Sequence, residues 1–102
     1  MISLTLDEIA AITAGRLVNA DPSVTVTAGV EYDTRALRPG GLFVAFAGER
    51  VDGHDFAANA VAAGAAGVLG TRDTGQPGIV VDDPLAALAA LATELAEGVR
   101  GA

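Results

Sequence analysis

Residues 40–64 read GGLFVAFAGERVDGHDFAANAVAAG, and the fold class turns on this stretch. The run from Leu42 to Ala47 carries neither a charge nor a polar side chain. A strand with one wet face alternates apolar and polar residues, whereas a run apolar on both faces belongs inside a sheet that is covered on both sides. Beyond the charged loop, DFAANAVAAG is alanine-rich and ends on Gly64, as a helix should. Asp55 is expected to cap the start of that helix. Strand, charged loop and helix in succession are the building unit of an α/β domain.

The flanking sequence extends the same alternation. At the N-terminal end, Thr5 as N-cap, Glu8 three residues later and Leu4 opposite Ile9 spell out a capping box with a hydrophobic staple, and Gly15 is expected to end this helix. Arg16 to Val18 reads as a short strand, and VTVTAGVEYD, rich in β-branched residues, as one strand ending near Asp33. Pro39, Gly40 and Gly41 mark a turn. GVLG and GIVV are two further short apolar strands. Asp83 followed by Pro84 starts a last helix, with Leu85, Leu88, Leu91 and Leu95 on its apolar face. The expected fold is a single α/β domain with a central, largely parallel sheet flanked by helices.

Composition narrows the chemistry. A chain of 102 residues, 51% hydrophobic, suffices for one compact domain and not for two. A formal charge of −7 argues against a nucleic-acid backbone or an anionic membrane surface as partner, and its ordinary meaning is solubility. The absence of cysteine removes disulfides, thiolate metal sites and thiol nucleophiles. All six basic residues are arginines, so Schiff-base chemistry and the lysine of a phosphate-binding P-loop are also missing. MISLTLDEIAAITAG lacks a basic leader and no apolar stretch reaches membrane-spanning length, so a cytoplasmic location is expected.

In open α/β sheets, ligands settle beyond the carboxyl ends of the strands. Two charged loops fall there: Tyr32-Asp33-Thr34-Arg35, and Glu49-Arg50-Val51-Asp52-Gly53-His54. The second feeds a helix start, whose free N–H groups suit a phosphate, and Arg35 and Arg50 can add charge-assisted donors. Asp33 and Arg35 have a plainer reading as well, in which they pair with each other or tie down the loop backbone. His54, the single histidine, lacks the partners of a metal site or of a general base, and a small hydrolase built on Asp33, Asp52 and His54 has no positioned nucleophile. The chemistry these loops offer is recognition.

The stretch YDTRALRPGGLFVAFAGERVDGHDF closely resembles the N-terminal domain of the Mur ligases, with their Asp-Ser/Thr-Arg, Pro-Gly turn, LFVA strand and Asp-Gly-His before a helix. The wording around residues 48–56 and the opening ISLTLDEIAAITAGRL are closer to the branch that adds D-alanyl-D-alanine than to the branch that adds the third residue of the peptide. The resemblance spans about residues 1–97, leaving 98–102 as a tail or the start of a linker to an ATP-binding domain. It implies that this domain holds the UDP portion of a UDP-N-acetylmuramoyl-peptide, while central and C-terminal domains hold ATP with magnesium and the incoming dipeptide. This chain would then contain no catalytic residue, cofactor or metal of its own. Position by position, Thr34 matches the hydroxyl of the uridine-binding motif, with Arg35 beside it and Asp33 shaping the loop. Glu49, Arg50 and Val51 match the segment that passes the nucleotide, and Asp52, Gly53 and His54 match the Asp-Gly-His that structures it. The rival expectation is a packing domain that binds nothing tightly in isolation.

Overall fold

The computed structural model describes residues 4–48 and 52–101, with side chains up to Glu94 in the final helix. In chain order the elements are β1 (Leu4–Thr5), α1 (Leu6–Thr13), β2 (Arg16–Val18), β3 (Thr25–Val26), β4 (Val30–Glu31), β5 (Leu42–Val44), a 3-10 turn (Gly53–Phe56), α2 (Ala57–Ala62), β6 (Gly67–Gly70), β7 (Gly78–Val80) and α3 (Pro84–Gly101). A five-stranded sheet has the order β2-β7-β6-β5-β4. Its strands β4 to β7 run parallel, and β2 closes one edge antiparallel to β7. The expected α/β class and largely parallel sheet are present.

The double-sided apolar run explains the layering. In β5, Leu42 and Val44 point to one face and join Leu69 and Ile79 beneath Leu6, Ile9 and Ala10 of α1 and Ala87 and Leu91 of α3. Phe43 and Ala45 point to the other, where they meet Val68 and the α2 residues Ala57 and Ala60. Residues 42 to 45 are each no more than 1% exposed, and complete burial of a Leu or Phe side chain stabilises by roughly 1.5–3 kcal/mol.

The start of α1 follows the sequence expectation: the Glu8 N–H donates to Thr5 Oγ1 at 3.1 Å and the Thr5 N–H to Glu8 Oε1 at 2.9 Å. Leu4 packs on the cluster that contains Ile9. The end of α1 differs from expectation. The left-handed residue is Ala14, at φ 55°, and Gly15 is needed for a separate reason: a Cβ there would lie 2.5 Å from Ile79 Cγ2 and 3.0 Å from the Val80 carbonyl. Close approach to β7, not backbone handedness, selects that glycine.

VTVTAGVEYD is not one strand. Its first part, β3, pairs antiparallel with β1, and its second part, β4, joins the main sheet beside β5. Between them the N–H groups of Thr27 and Ala28 both donate to the Gly40 carbonyl, so the chain bends and leaves one sheet for the other.

Asp83 caps α3 as expected, accepting from the Leu85 N–H at 3.0 Å. The apolar face needs correction. Leu91 is 2% exposed and Ala87 3%, but Leu85 is 68% exposed, and the side chain of Leu95 lies outside the described residues. Six residues of helix separate Leu85 from Leu91, which turns it roughly 120° away from the buried stripe. The helix continues to Gly101, so residues 98–101 extend it. Among the described residues no helix is long and apolar enough to cross a membrane.

Replacing Asp83 by alanine should cost about 1 kcal/mol of stability through the lost cap. Urea unfolding measures it, and an unchanged midpoint would reject the capping role.

Candidate functional site

Parallel strands bring their carboxyl ends to one rim of the sheet, and a cleft of about 520 Å³ opens at the ends of β4 and β5. Tyr32, Asp33, Thr34 and Arg35 form one wall; Gly48, Gly53 and Phe56 form the other, with Phe43 and Phe46 at the base. The chain has one tyrosine, three phenylalanines and no tryptophan, so every aromatic ring it possesses lines this cleft. Tyr32 is 71% and Phe56 41% exposed. Tyr32 stands edge-on to Phe46, with ring centroids 6.2 Å apart. An apolar, aromatic concavity with a few polar groups on its rim is the usual form of a small-molecule site.

The first wall is held by an aspartate turn. The Arg35 N–H donates to Asp33 Oδ1 at 2.9 Å, and the Arg35 side chain returns to the same carboxylate, Nε to Oδ1 at 3.1 Å and Nη2 to Oδ2 at 2.8 Å. The guanidinium in this fork is 89% exposed, so the pair shapes the loop more than it stabilises the fold. The side-chain bond from Arg35, followed by its backbone N–H, lowers the Asp33 carboxyl to about 2. The turn places Thr34, between these two residues, on the cleft wall.

The second wall rests on a network behind it. Ala47 and Asp52 form an antiparallel bridge, and the Gly53 N–H donates to the Phe46 carbonyl at 2.7 Å. Gly53 has no alternative: a Cβ would lie 2.8 Å from the Phe46 nitrogen and 2.9 Å from its oxygen. Asp52 caps the 3-10 turn by accepting from the His54 N–H at 2.9 Å. Its Oδ1 also meets His54 Nδ1 at 2.6 Å, and its Oδ2 accepts from Arg72 Nη1 at 2.7 Å. Those bonds, Arg72 first and then the backbone and ring of His54, hold the Asp52 carboxyl well below the usual range.

His54 is buried, and its Nε2 accepts from the Thr71 N–H at 2.9 Å. Nε2 therefore carries the lone pair and Nδ1 the proton, so both ring nitrogens are occupied and neither is available as a metal ligand or general base. Asp55 is not the cap that the sequence suggested. It lies inside the turn, 3.7 Å from Arg72 Nη2, because the close seat of Gly53 against Phe46, just past β5, starts the turn three residues earlier, at Asp52.

The structure thus brings Thr34, Arg35 and Gly53 to the cleft and places Asp52 and His54 in support behind it. Glu49, Arg50 and Val51 lie outside the described residues. Among the described residues no group of three or more acidic or histidine side chains is gathered to hold a metal ion. Sequence reasoning missed Gly70, Thr71 and Arg72 at the end of β6. A Cβ on Gly70 would lie 2.7 Å from His54 Nε2, so this glycine makes room for the ring. The signal was available: Arg72 is one of only six cations and follows a parallel strand, where the same carboxyl-end rule applies.

Both depressed carboxyls tie stability to pH in one direction. The stabilisation from Asp33 and Asp52 is fully present above the unfolded value of about 3.9 and is lost as pH falls through their folded values. A carboxyl-carbon NMR titration should find the Asp33 midpoint near 2, and Arg35→Ala should return it toward 3.8. A wild-type midpoint at 3.8 would exclude the fork. Gly70→Ala should cost about 1–3 kcal/mol by overpacking the histidine seat; thermal unfolding checks this, and an unaltered transition would contradict the contact.

The sequence profile of the Mur ligase family, catalytic domain, matches residues 26–95. Over 91 residues the chain is 53% identical to the UDP-N-acetylmuramoyl-tripeptide--D-alanyl-D-alanine ligase of Mycobacterium bovis, a match covering 85% of this chain and 18% of that protein. MurF from Acinetobacter baumannii superposes with a TM-score of 0.73 at 29% identity, over 87% of this chain and 20% of that one. MurF from Thermotoga maritima, solved in complex with ADP, superposes at 0.61 with 34% identity, over 68% of this chain and 17% of that one. The chain spans about a fifth of the length of these relatives.

Proposed function

This chain belongs to the Mur ligase family, and on that premise we propose that it is the domain that holds the uridine-diphosphate end of UDP-N-acetylmuramoyl-tripeptide for a D-alanyl-D-alanine-adding ligase. The observation that carries the reading is the concentration of all the chain's aromatic rings in one cleft at the carboxyl ends of β4 and β5, with Thr34 and Arg35 on its wall. A flat, weakly polar base is matched by rings, and a ribose by a short hydroxyl such as that of Thr34. The diphosphate calls for cations. Arg35 gives Nε and Nη2 to Asp33, which leaves three of its five N–H donors for an anion. Glu49, Arg50 and Val51, which lie between Gly48 and Asp52 in the sequence, belong to the same proposed site.

The greater length of the relatives supports placing the remaining chemistry in other parts of such a ligase. A chain without lysine offers no P-loop lysine for ATP, and the ADP in the Thermotoga maritima relative supports an ATP requirement for the whole enzyme. The domain therefore binds and orients the nucleotide end of the substrate. Magnesium, ATP, the activation of the substrate carboxylate and the attacking dipeptide belong to the central and C-terminal domains, its partners in the assembled enzyme. Its setting is peptidoglycan precursor synthesis in the bacterial cytoplasm, and the isolated chain is inactive.

A ¹⁵N-amide NMR titration of the chain with UDP-N-acetylmuramoyl-tripeptide, UDP and ATP tests this reading. Saturable shifts at Thr34, Gly48 and Gly53 with both uridine compounds, and none with ATP, are expected. The absence of shifts with all three would leave a packing domain whose site forms only within the whole ligase.

A further inference from the structure

We propose that Arg72, on the turn after β6, is the positioning residue for the cleft wall formed by Gly48, Gly53 and Phe56. The inference rests on the reading of this cleft as the nucleotide site, and Arg72 itself is not among the residues that line it.

The wall is held by the Gly53 N–H on the Phe46 carbonyl, by the His54 ring on the Thr71 N–H and by Asp52. Its anchor is Asp52, which is bridged to Ala47 on one side and followed directly by Gly53 on the other. Both oxygens of the Asp52 carboxylate are engaged, and their partners differ in origin. Oδ1 is bound within the turn, by the N–H and the ring of His54. Oδ2 is bound by Arg72 Nη1 at 2.7 Å, across a separation of twenty residues. Arg72 is therefore the cation that ties the turn after β5 to the end of the neighbouring strand. The second nitrogen, Nη2, lies 3.7 Å from Asp55 Oδ1, so one guanidinium stands between two carboxylates on the same short turn. Without it Asp52 Oδ2 loses its partner and both carboxylates lose the positive charge they share.

The fold does not need this cation. Strands β5 and β6 stay paired through Phe43 and Val68, and the Ala45 N–H donates to the Leu69 carbonyl at 2.8 Å. The Arg72 side chain is 53% exposed and lies outside both apolar clusters. Removing it should shift the wall while leaving the sheet beneath it intact. That separation makes Arg72 a positioning residue rather than a core residue.

The test compares wild type, Arg72→Ala and Arg72→Lys in two measurements on the 102-residue chain. The first is amide hydrogen exchange without ligand. Arg72→Ala should accelerate exchange at Gly53 and His54 and leave Val68 and Leu69 unchanged, and Arg72→Lys should restore most of the protection. The second is a titration with UDP, where Arg72→Ala should weaken binding by about fivefold, the upper end of what a half-exposed ion pair supplies, with recovery in the lysine variant. Unchanged exchange at Gly53 and His54 in the alanine variant would overturn the inference, and so would a loosened wall that binds UDP as wild type does. A wild type that ignores UDP while Arg72→Ala still loosens the wall would overturn the nucleotide reading and leave the positioning of the wall established.

Discussion

Strand β5 is buried on both faces at once, with Leu42 and Val44 beneath α1 and α3 and Phe43 and Ala45 against α2, and this double burial constrains everything around it. A strand that must hide both faces cannot lie at an edge, so β4 and β6 flank it and helices cover the sheet above and below. Its neighbours β4 and β6 both run parallel to it, with α2 on the crossover from β5 to β6, and parallel strands deliver their carboxyl ends to a common rim. The loop after β5 is thereby set between the loops after β4 and β6. The cleft is a consequence of where the apolar run had to go.

Polar groups at this rim are used with economy. Arg35 and Arg72 are each paired with an aspartate in or beside a wall of the cleft, and the single histidine joins two loops. The Asp52 carboxyl is lowered by the bonds from Arg72 and His54, and the second ring nitrogen of His54 accepts the Thr71 N–H. The charged groups thus stiffen the walls and leave the interior of the cleft to aromatic rings. Such an arrangement suits a domain that orients a ligand for chemistry carried out elsewhere.

Much of this was legible in the residues. The capping box of α1, the interior strand at Leu42, the two short strands that follow and the cap at Asp83 all depend on neighbours within a few positions, where side-chain chemistry and spacing suffice. The errors share a cause. Gly15 was read as a helix terminator when it is a contact with β7, and VTVTAGVEYD as one strand when its halves serve two sheets. Leu85 was placed on the buried face of α3, although alanine packs there instead. Each was decided by an element distant in sequence.

The sequence by itself therefore determined the α/β class, the interior strand at Leu42 and the two loops at its rim, because apolar periodicity and capping are local and survive in any tertiary setting. It also narrowed the chemistry, since a chain without cysteine or lysine has no thiol nucleophile, no Schiff-base amine and no P-loop lysine. Tertiary structure alone decided that Tyr32, Phe46 and Phe56 share one cleft, that Gly70 yields space to His54 and that Arg72 holds Asp52. Those relations join residues ten to twenty-four positions apart, and the parallel packing of β5 between β4 and β6 brings them together.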